Sequence, residues 1–307
     1  MQPGFLLKSS VSDIDCMDEK RNVKMNKKTL LLVLLACCSA VSLIAADGKA
    51  DAPAKKQTPA PEKKYKPLPP DGGLKVSTTA SARVNPNAAQ KSGWHKRYDE
   101  KRAQIAEYKN NVQILMLGDS ITHYWDNDPK ASKIQIGGRN IRDKYFSQYK
   151  LVNLGYAGDR TQHTLWIVNS SGMLDNLKAD MVILMIGTNN LGTRQSSAEV
   201  TAEAIKVIVE SLRKKLPESK ILLFGVFPRN ANPKHHNRLK INVINSQICK
   251  LHDGKNVFYC DITKNFLDEA GCLSKTIMPD YLHPGEKGYT IWAEAIIPYV
   301  KKFVDKQ

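Results

Sequence analysis

Four short blocks of this 307-residue sequence hold residue types that can do chemistry together. Gly118-Asp119-Ser120 offers a hydroxyl nucleophile whose own backbone N–H sits at a strand-to-helix turn, and Gly158 offers a backbone N–H with no side chain in front of it. Asn189 offers a side-chain amide, and Asp280-Tyr281-Leu282-His283 places a carboxylate three residues before an imidazole. Acyl transfer requires this inventory: a nucleophile, donors for an oxyanion, a base, and a group that orients the base. Each block alone is weak, because Gly-Asp-Ser and Asp-x-x-His arise by chance and a lone Ser120 reads as a helix N-cap. Their joint order, each after a predicted strand or before the last helix, is a strong signal.

The neighbours of these residues read as support. Asp119 suits a loop-orienting acceptor of backbone hydrogen bonds, and Asn190 a brace for the third loop. Arg160 suits a tie from its loop to an aspartate or a carbonyl, with contact to an anionic substrate as the alternative. His163 and Trp166 share a helical face, for packing or for lining a pocket. The adjacent His235 and His236 project about 100° apart on a helix and have no Cys/Glu cluster beside them, so they do not make a metal site.

The elements that must position these blocks follow from periodicity. Short apolar runs at 113–117, 151–153, 181–186, 221–226 and 257–259 alternate with helical patterns at 161–168, 198–215, 233–250 and 284–303. That alternation predicts an α/β fold, a three-layer α/β/α sandwich on a five-stranded, mostly parallel, flavodoxin-like sheet. In the second helix Val200, Ala204, Val207, Ile208 and Leu212 form the predicted sheet-facing stripe. Residues 93–111, with Tyr98, Ile105 and Tyr108, read as a lead-in helix. In such sheets chemistry sits outside the carboxyl ends of the strands, where the four blocks fall.

At these residues the chain resembles the SGNH (GDSL) hydrolase superfamily. Gly118-Asp119-Ser120 is similar to its nucleophile block, Gly158 to the second, Gly187-Thr188-Asn189 to the third, and Asp280 with His283 to the last. Asn153 to Trp166, with Gly158-Asp159-Arg160-Thr161-Gln162-His163 and Leu165-Trp166, and Asp280-Tyr281-Leu282-His283 resemble the platelet-activating-factor acetylhydrolase Ib catalytic-subunit subgroup more closely. The resemblance spans about residues 115–303. The chain departs from the subgroup at Ile167 and at Ser170-Ser171-Gly172, expected at the pocket rim. The resemblance implies ester hydrolysis with Ser120 as nucleophile, His283 as base and Asp280 as its orienting acid. Ser120 N–H, Gly158 N–H and the Asn189 amide would form the oxyanion hole, with no metal or organic cofactor. It also carries over homodimerisation as an expectation.

The N-terminus bears on location. Residues 30–44 are apolar, follow Met25, Lys27 and Lys28, and end at Ala45-Ala46, the order of a secretory signal peptide. They fall short of the about 20 residues of a membrane span. Met25 reads as the true initiator, since Asp13, Asp15, Asp18 and Glu19 do not suit a targeting segment. Leu34-Leu35-Ala36-Cys37 also resembles a lipobox, a competing reading in which lipidated Cys37 tethers the protein to a membrane. Residues 1–46 therefore read as the signal region, 47–92 as a disordered Ala/Pro/Lys-rich linker, and 93–307 as the hydrolase domain. After cleavage Cys249, Cys260 and Cys272 remain, an odd number that allows at most one bridge.

Composition sets the outer bounds. Apolar residues at 42% and six cysteines exclude a collagen, a wholly disordered chain and a disulfide-dense mini-protein. The net charge of +16 is spread along the chain without an aromatic-interleaved basic motif, which argues against a nucleic-acid partner. The expected function is a secreted or periplasmic serine esterase removing short acyl groups, acetyl above all, from a carbohydrate. A phospholipid acetylhydrolase or lysophospholipase is the alternative within the class. A non-catalytic glycan-binding module is the alternative outside it, and it predicts a damaged triad where Ser120, Asp280 and His283 are intact.

Overall fold

The apolar runs form one sheet in the computed structural model of the chain. Its strands are β1 Asn111–Gly118, β2 Leu151–Gly155, β3 Lys178–Met185, β4 Lys220–Phe224 and β5 Val257–Cys260, in the order β2-β1-β3-β4-β5 with every neighbouring pair parallel. The structure describes residues 72–85, 92–192 and 196–305. The expected leader, Met25, Cys37 and the linker up to residue 71 lie outside them.

The helices are α1 Leu74–Thr78, α2 Gly93–Glu107, α3 Ser120–His123, α4 Arg139–Phe146, α5 Thr161–Asn169, α6 Thr188–Gly192, α7 Ala198–Lys215, α8 His236–Ile248 and α9 Glu286–Phe303. They cover both faces of the sheet because its strands are apolar on both. In β3, Val182 and Leu184 point into one core with residues of α2, α5, α7 and α8. Met181, Ile183 and Met185 point into the other, with Ile141 and Phe146 of α4 and Tyr289, Trp292 and Ile296 of α9. This is the period-two alternation of a strand buried on both sides, and it makes the three-layer sandwich.

Two expectations change. The buried stripe of α7 runs through Thr201, Ile205, Ile208 and Leu212, while Val200 and Val207 are only half-buried at its edge. The linker also ends earlier than residue 92, because residues 72–85 pack on the domain. Ser77 is buried and hydrogen-bonded through its hydroxyl to Ser196, its carbonyl accepts from Thr161 Oγ1 at 3.1 Å, and Ser81 N–H donates to the Gln162 carbonyl at 3.1 Å. Polar bonds hold this segment, with Leu74 and Val76 left exposed, so a search for apolar periodicity passes over it.

An ion cluster joins α2 to the end of β2 and to the turn that follows α3. Arg97 of α2 is buried and donates to the carbonyls of Gly155 and Asn153 at 2.8 and 2.9 Å and to Asp126 at 2.9 Å. Lys101 and Arg142 also pair with Asp126. Burial alone would raise the Asp126 pKa, but Lys101, Arg97 and Arg142 outweigh it and hold it at about 2. A depressed carboxylate contributes stability above its unfolded pKa and loses it as pH falls through the folded one, here between about 4 and about 2. Stability measured by denaturant titration from pH 5 to pH 2 should therefore fall by about 2 kcal/mol more in the parent than in Asp126→Asn. Parallel acid limbs would show that the cluster does not set the acid sensitivity.

Candidate active site

Strand register brings the chemical blocks to one edge. Gly118 at the end of β1 pairs with Gly155 at the end of β2 and with Met185 at the end of β3, so the three following loops start at the same level. The first turns sharply into α3. A β-carbon on Gly118 would lie 2.1 Å from Thr122 Oγ1 and 2.4 Å from the Met185 carbonyl, so only glycine lets the chain turn there. Asp119 caps α3, its Oδ1 accepting from Ile121 N–H at 2.9 Å. Its other oxygen has no partner among the described residues, and burial pushes its carboxyl up to about 6 against the pull of Ile121 N–H, His283 and Arg229.

Ser120 is buried, and its Oγ lies 2.8 Å from His283 Nε2. His283 Nδ1 lies 2.7 Å from Asp280 Oδ2. The other oxygen of Asp280 shapes the loop, accepting the N–H groups of Leu282 and His283 at 3.0 and 2.7 Å. Between them Tyr281 has a left-handed backbone, φ 59°, with its carbonyl accepting from Asn230 N–H at 2.8 Å. A non-glycine residue there is strained, so the loop's hydrogen bonds hold the carboxylate under the imidazole. Burial would raise the Asp280 pKa, but the hydrogen bonds from His283 and its attraction bring it below the usual carboxylate value. The Tyr124 ring packs 5.0 Å from the His283 ring.

The second loop presents Gly158 in a turn closed by Asp159 N–H to the Tyr156 carbonyl at 3.0 Å, with φ +81° at the glycine. Neither Ser120 N–H nor Gly158 N–H donates a hydrogen bond among the described residues. In the third loop, Asn189 Nδ2 donates to the Asp159 carbonyl at 2.8 Å, which orients an amide nitrogen that carries two hydrogens. Asn190 is buried, accepts from Thr161 N–H at 3.1 Å and donates to Thr161 Oγ1 at 2.8 Å, tying the third loop to the second. The geometry thus brings together Ser120, His283 and Asp280, with Gly158 and Asn189 on the adjoining loops.

The remaining predicted residues fall elsewhere. Arg160 N–H donates to His163 Nδ1 at 3.1 Å, so His163 serves the start of α5, and burial lowers its pKa to about 4. Trp166 packs in an aromatic group with Trp94 and Tyr98. Ile167 is in the core, a correction to its expected place at a pocket rim, because α5 turns that face to the sheet. His235 caps α8 through Asn237 N–H at 3.2 Å. Cys249, Cys260 and Cys272 form no disulfide among the described residues, and burial pushes the Cys260 thiol up to about 12. Among the described residues no group of three or more His, Cys, Asp or Glu side chains could hold a metal.

Sequence reasoning passed over several residues of the site. Arg229, after β4, donates to the carbonyl and hydroxyl of Thr188 at 3.1 and 3.2 Å, bracing the third loop from the far side. Asn153 donates to the Thr122 carbonyl at 2.8 Å and accepts from Gly155 N–H at 2.9 Å, locking α3 to β2. His123 Nδ1 accepts Ala157 N–H at 3.2 Å, and burial, reinforced by Arg97, lowers its pKa to about 4, so it stays a neutral acceptor.

Comparison with known proteins gives the family and the fold. A sequence model of the GDSL-like lipase/acylhydrolase family matches residues 116–291. Platelet-activating factor acetylhydrolase IB subunit alpha2 of Rattus norvegicus is 34% identical over 180 residues, which cover 57% of this chain and 70% of that one. Subunit alpha1 of Homo sapiens is 31% identical over 189 residues, 61% of this chain and 74% of that one. Among solved structures, a GDSL-like lipase from Bacteroides thetaiotaomicron superposes with a TM-score of 0.53 at 19% identity, over 67% of this chain and 97% of its own.

Proposed function

The chain belongs to the GDSL-like lipase/acylhydrolase family and is a carboxylic ester hydrolase, and from that premise we propose that it removes short acyl groups, acetyl above all, from oxygen esters on a carbohydrate through a Ser120-His283-Asp280 triad. The observation that carries this reading is the unbroken chain from Ser120 Oγ through the imidazole to Asp280, at 2.8 and 2.7 Å. His283 Nε2 takes the proton of Ser120 as its oxygen attacks the acyl carbon, and Asp280 stabilises the imidazolium. Ser120 N–H, Gly158 N–H and Asn189 Nδ2 receive the developing oxyanion. The imidazolium then protonates the departing alcohol, leaving an acyl-Ser120. Water, deprotonated by His283, attacks that ester, and the proton returns to Ser120 as the acid leaves. Asp119, Arg160 and Asn190 position the loops.

Acetyl is favoured by the name of the relatives, which are acetylhydrolases. A carbohydrate carrier is favoured by the surface. Among the described residues the exposed large apolar side chains are Leu74, Val76, Ile134, Leu239 and Val243, none of them on the three loops that bear Ser120, Gly158 and Asn189. Export behind the leader of residues 1–46, to the cell exterior or a periplasm, suits work on such material. The relatives' name also favours a second reading, a phospholipid acetylhydrolase. Hydrolysis of p-nitrophenyl acetate, butyrate and octanoate by the full chain separates the two. The carbohydrate acetylesterase predicts kcat/KM falling by about 10-fold or more from acetate to octanoate. Equal or faster turnover of octanoate would contradict it and favour a lipid substrate.

A further inference from the structure

The residues that pack onto the domain ahead of α2 deliver an arginine to the loop that bears Gly158. Arg83 lies five residues beyond α1, on the stretch anchored by the Ser77 and Ser81 hydrogen bonds. Its guanidinium rests on the second loop: a β-carbon built on Gly158 would stand 2.2 Å from Nη1 and 2.6 Å from Nη2. Its ion-pair partner among the described residues is Asp159, at 3.7 Å, beyond hydrogen-bond length. None of its N–H groups donates a hydrogen bond among the described residues, and the side chain is 36% exposed. A guanidinium ordered for fold stability closes on its carboxylate at about 2.7–2.9 Å, often through two bonds. Here the planar fork is set beside the oxyanion glycine with its donors unused.

The carboxylate facing that charge is itself held away from water. Asp159 is buried, and its Oδ1 accepts no hydrogen bond among the described residues. Burial raises its pKa well above the usual value, opposed by Arg83 and reinforced by Asp119. His163 Nδ1 is also 3.7 Å from Asp159, and Arg160 lies near enough to Arg83 for repulsion.

We propose that Arg83 is a specificity-determining residue of the esterase site, its guanidinium binding a negatively charged substrate group, a carboxylate, sulfate or phosphate, placed close to the scissile carbonyl. This rests on the ester-hydrolase reading of the site. The planar fork accepts such a group through two parallel hydrogen bonds, which a lysine offers only as a point charge. On a carbohydrate, the group would belong to an acidic sugar next to the acylated hydroxyl.

Three small esters place the charge differently: phenyl acetate has none, 3-acetoxybenzoate carries it on the alcohol, and monophenyl succinate carries it on the acyl group. The proposal predicts that Arg83→Ala raises KM for one of the charged esters by about 10-fold or more, that Arg83→Lys restores part of the loss, and that neither variant changes kcat/KM for phenyl acetate by more than about 2-fold. The ester affected tells which side of the carbonyl Arg83 reads. Equal losses on all three esters, or no loss on either charged one, would overturn the assignment while leaving the esterase standing. Calorimetry on Ser120→Ala, with and without Arg83→Ala, measures binding of 3-acetoxybenzoate and monophenyl succinate independently of turnover. A drop of about 10-fold in affinity for one of them supports the proposal even if the parent hydrolyses no ester, an outcome that would sink the esterase reading alone. Unchanged affinities for both would overturn the role of Arg83.

Discussion

Ser120→Ala is expected to lower kcat toward p-nitrophenyl acetate by about 10⁵-fold, with KM changed by less than about 3-fold and the folded state intact. The size follows from the way a triad works: removing the nucleophile abolishes the covalent route and leaves only what the oxyanion donors and binding supply. The fold should tolerate the change, because among the described residues the Ser120 hydroxyl makes one hydrogen bond, to His283, and α3 is capped by Asp119 instead. Loss of a single hydroxyl leaves in place the Asn153–Thr122 and His123–Ala157 bonds that tie α3 to β2 and its loop. A thermal melt within about 2 °C of the parent, alongside the activity loss, separates a chemical from a structural effect. Activity within 10-fold of the parent would remove Ser120 from the mechanism.

Asp280→Asn is expected to cost about 10³- to 10⁴-fold in kcat, again without unfolding. The two oxygens of Asp280 do different jobs, and the substitution separates them. An asparagine keeps an oxygen to accept the N–H groups of Leu282 and His283, so the loop with its left-handed Tyr281 survives. Where Oδ2 accepted from His283 Nδ1, the amide now donates. The imidazole must then turn its unprotonated nitrogen to the amide and its N–H toward Ser120, the wrong tautomer for a base. Asp280→Ala should be at least as slow and should also loosen the loop, visible as a lower melting temperature than Asp280→Asn. If Asp280→Asn keeps more than a tenth of the parent kcat, the carboxylate serves loop geometry alone.

These expectations drew on residues whose placement the sequence foreshadowed unevenly. The sheet was readable because β1, β3 and β4 are apolar on both faces, and runs such as Met181 to Ile186 have few other structural outcomes. The first three catalytic blocks were readable because each follows a strand end, where register sets them side by side, and the fourth because Asp280 and His283 stand just ahead of the last helix. α4 escaped notice because it buries only Ile141 and Phe146 and is otherwise mostly charged and polar. α1 escaped because it lies in a polar, proline-rich stretch and is held by partners far along the chain, Ser196 and Thr161 among them. The same holds for Arg97 and Arg83. An arginine on a charged helix or a basic linker reads as solvated, and only the packing of chain 58 and 76 residues away turns it inward, to Gly155 and to Asp159. The stripe of α7 was misplaced by about one position because Val200 and Val207 look like core residues, whereas the buried line includes a threonine, Thr201.

In the proposed mechanism an acyl group passes through the Ser120 oxygen. Mass mapping of the full chain after reaction with a fluorophosphonate, which forms a stable adduct on an activated serine, tests this step. One adduct per chain is expected, located on the peptide containing Gly118-Asp119-Ser120, slowed by excess short-chain ester present during labelling and absent from His283→Ala. An adduct on any other residue, or full ester hydrolysis by protein that takes no label, would contradict it.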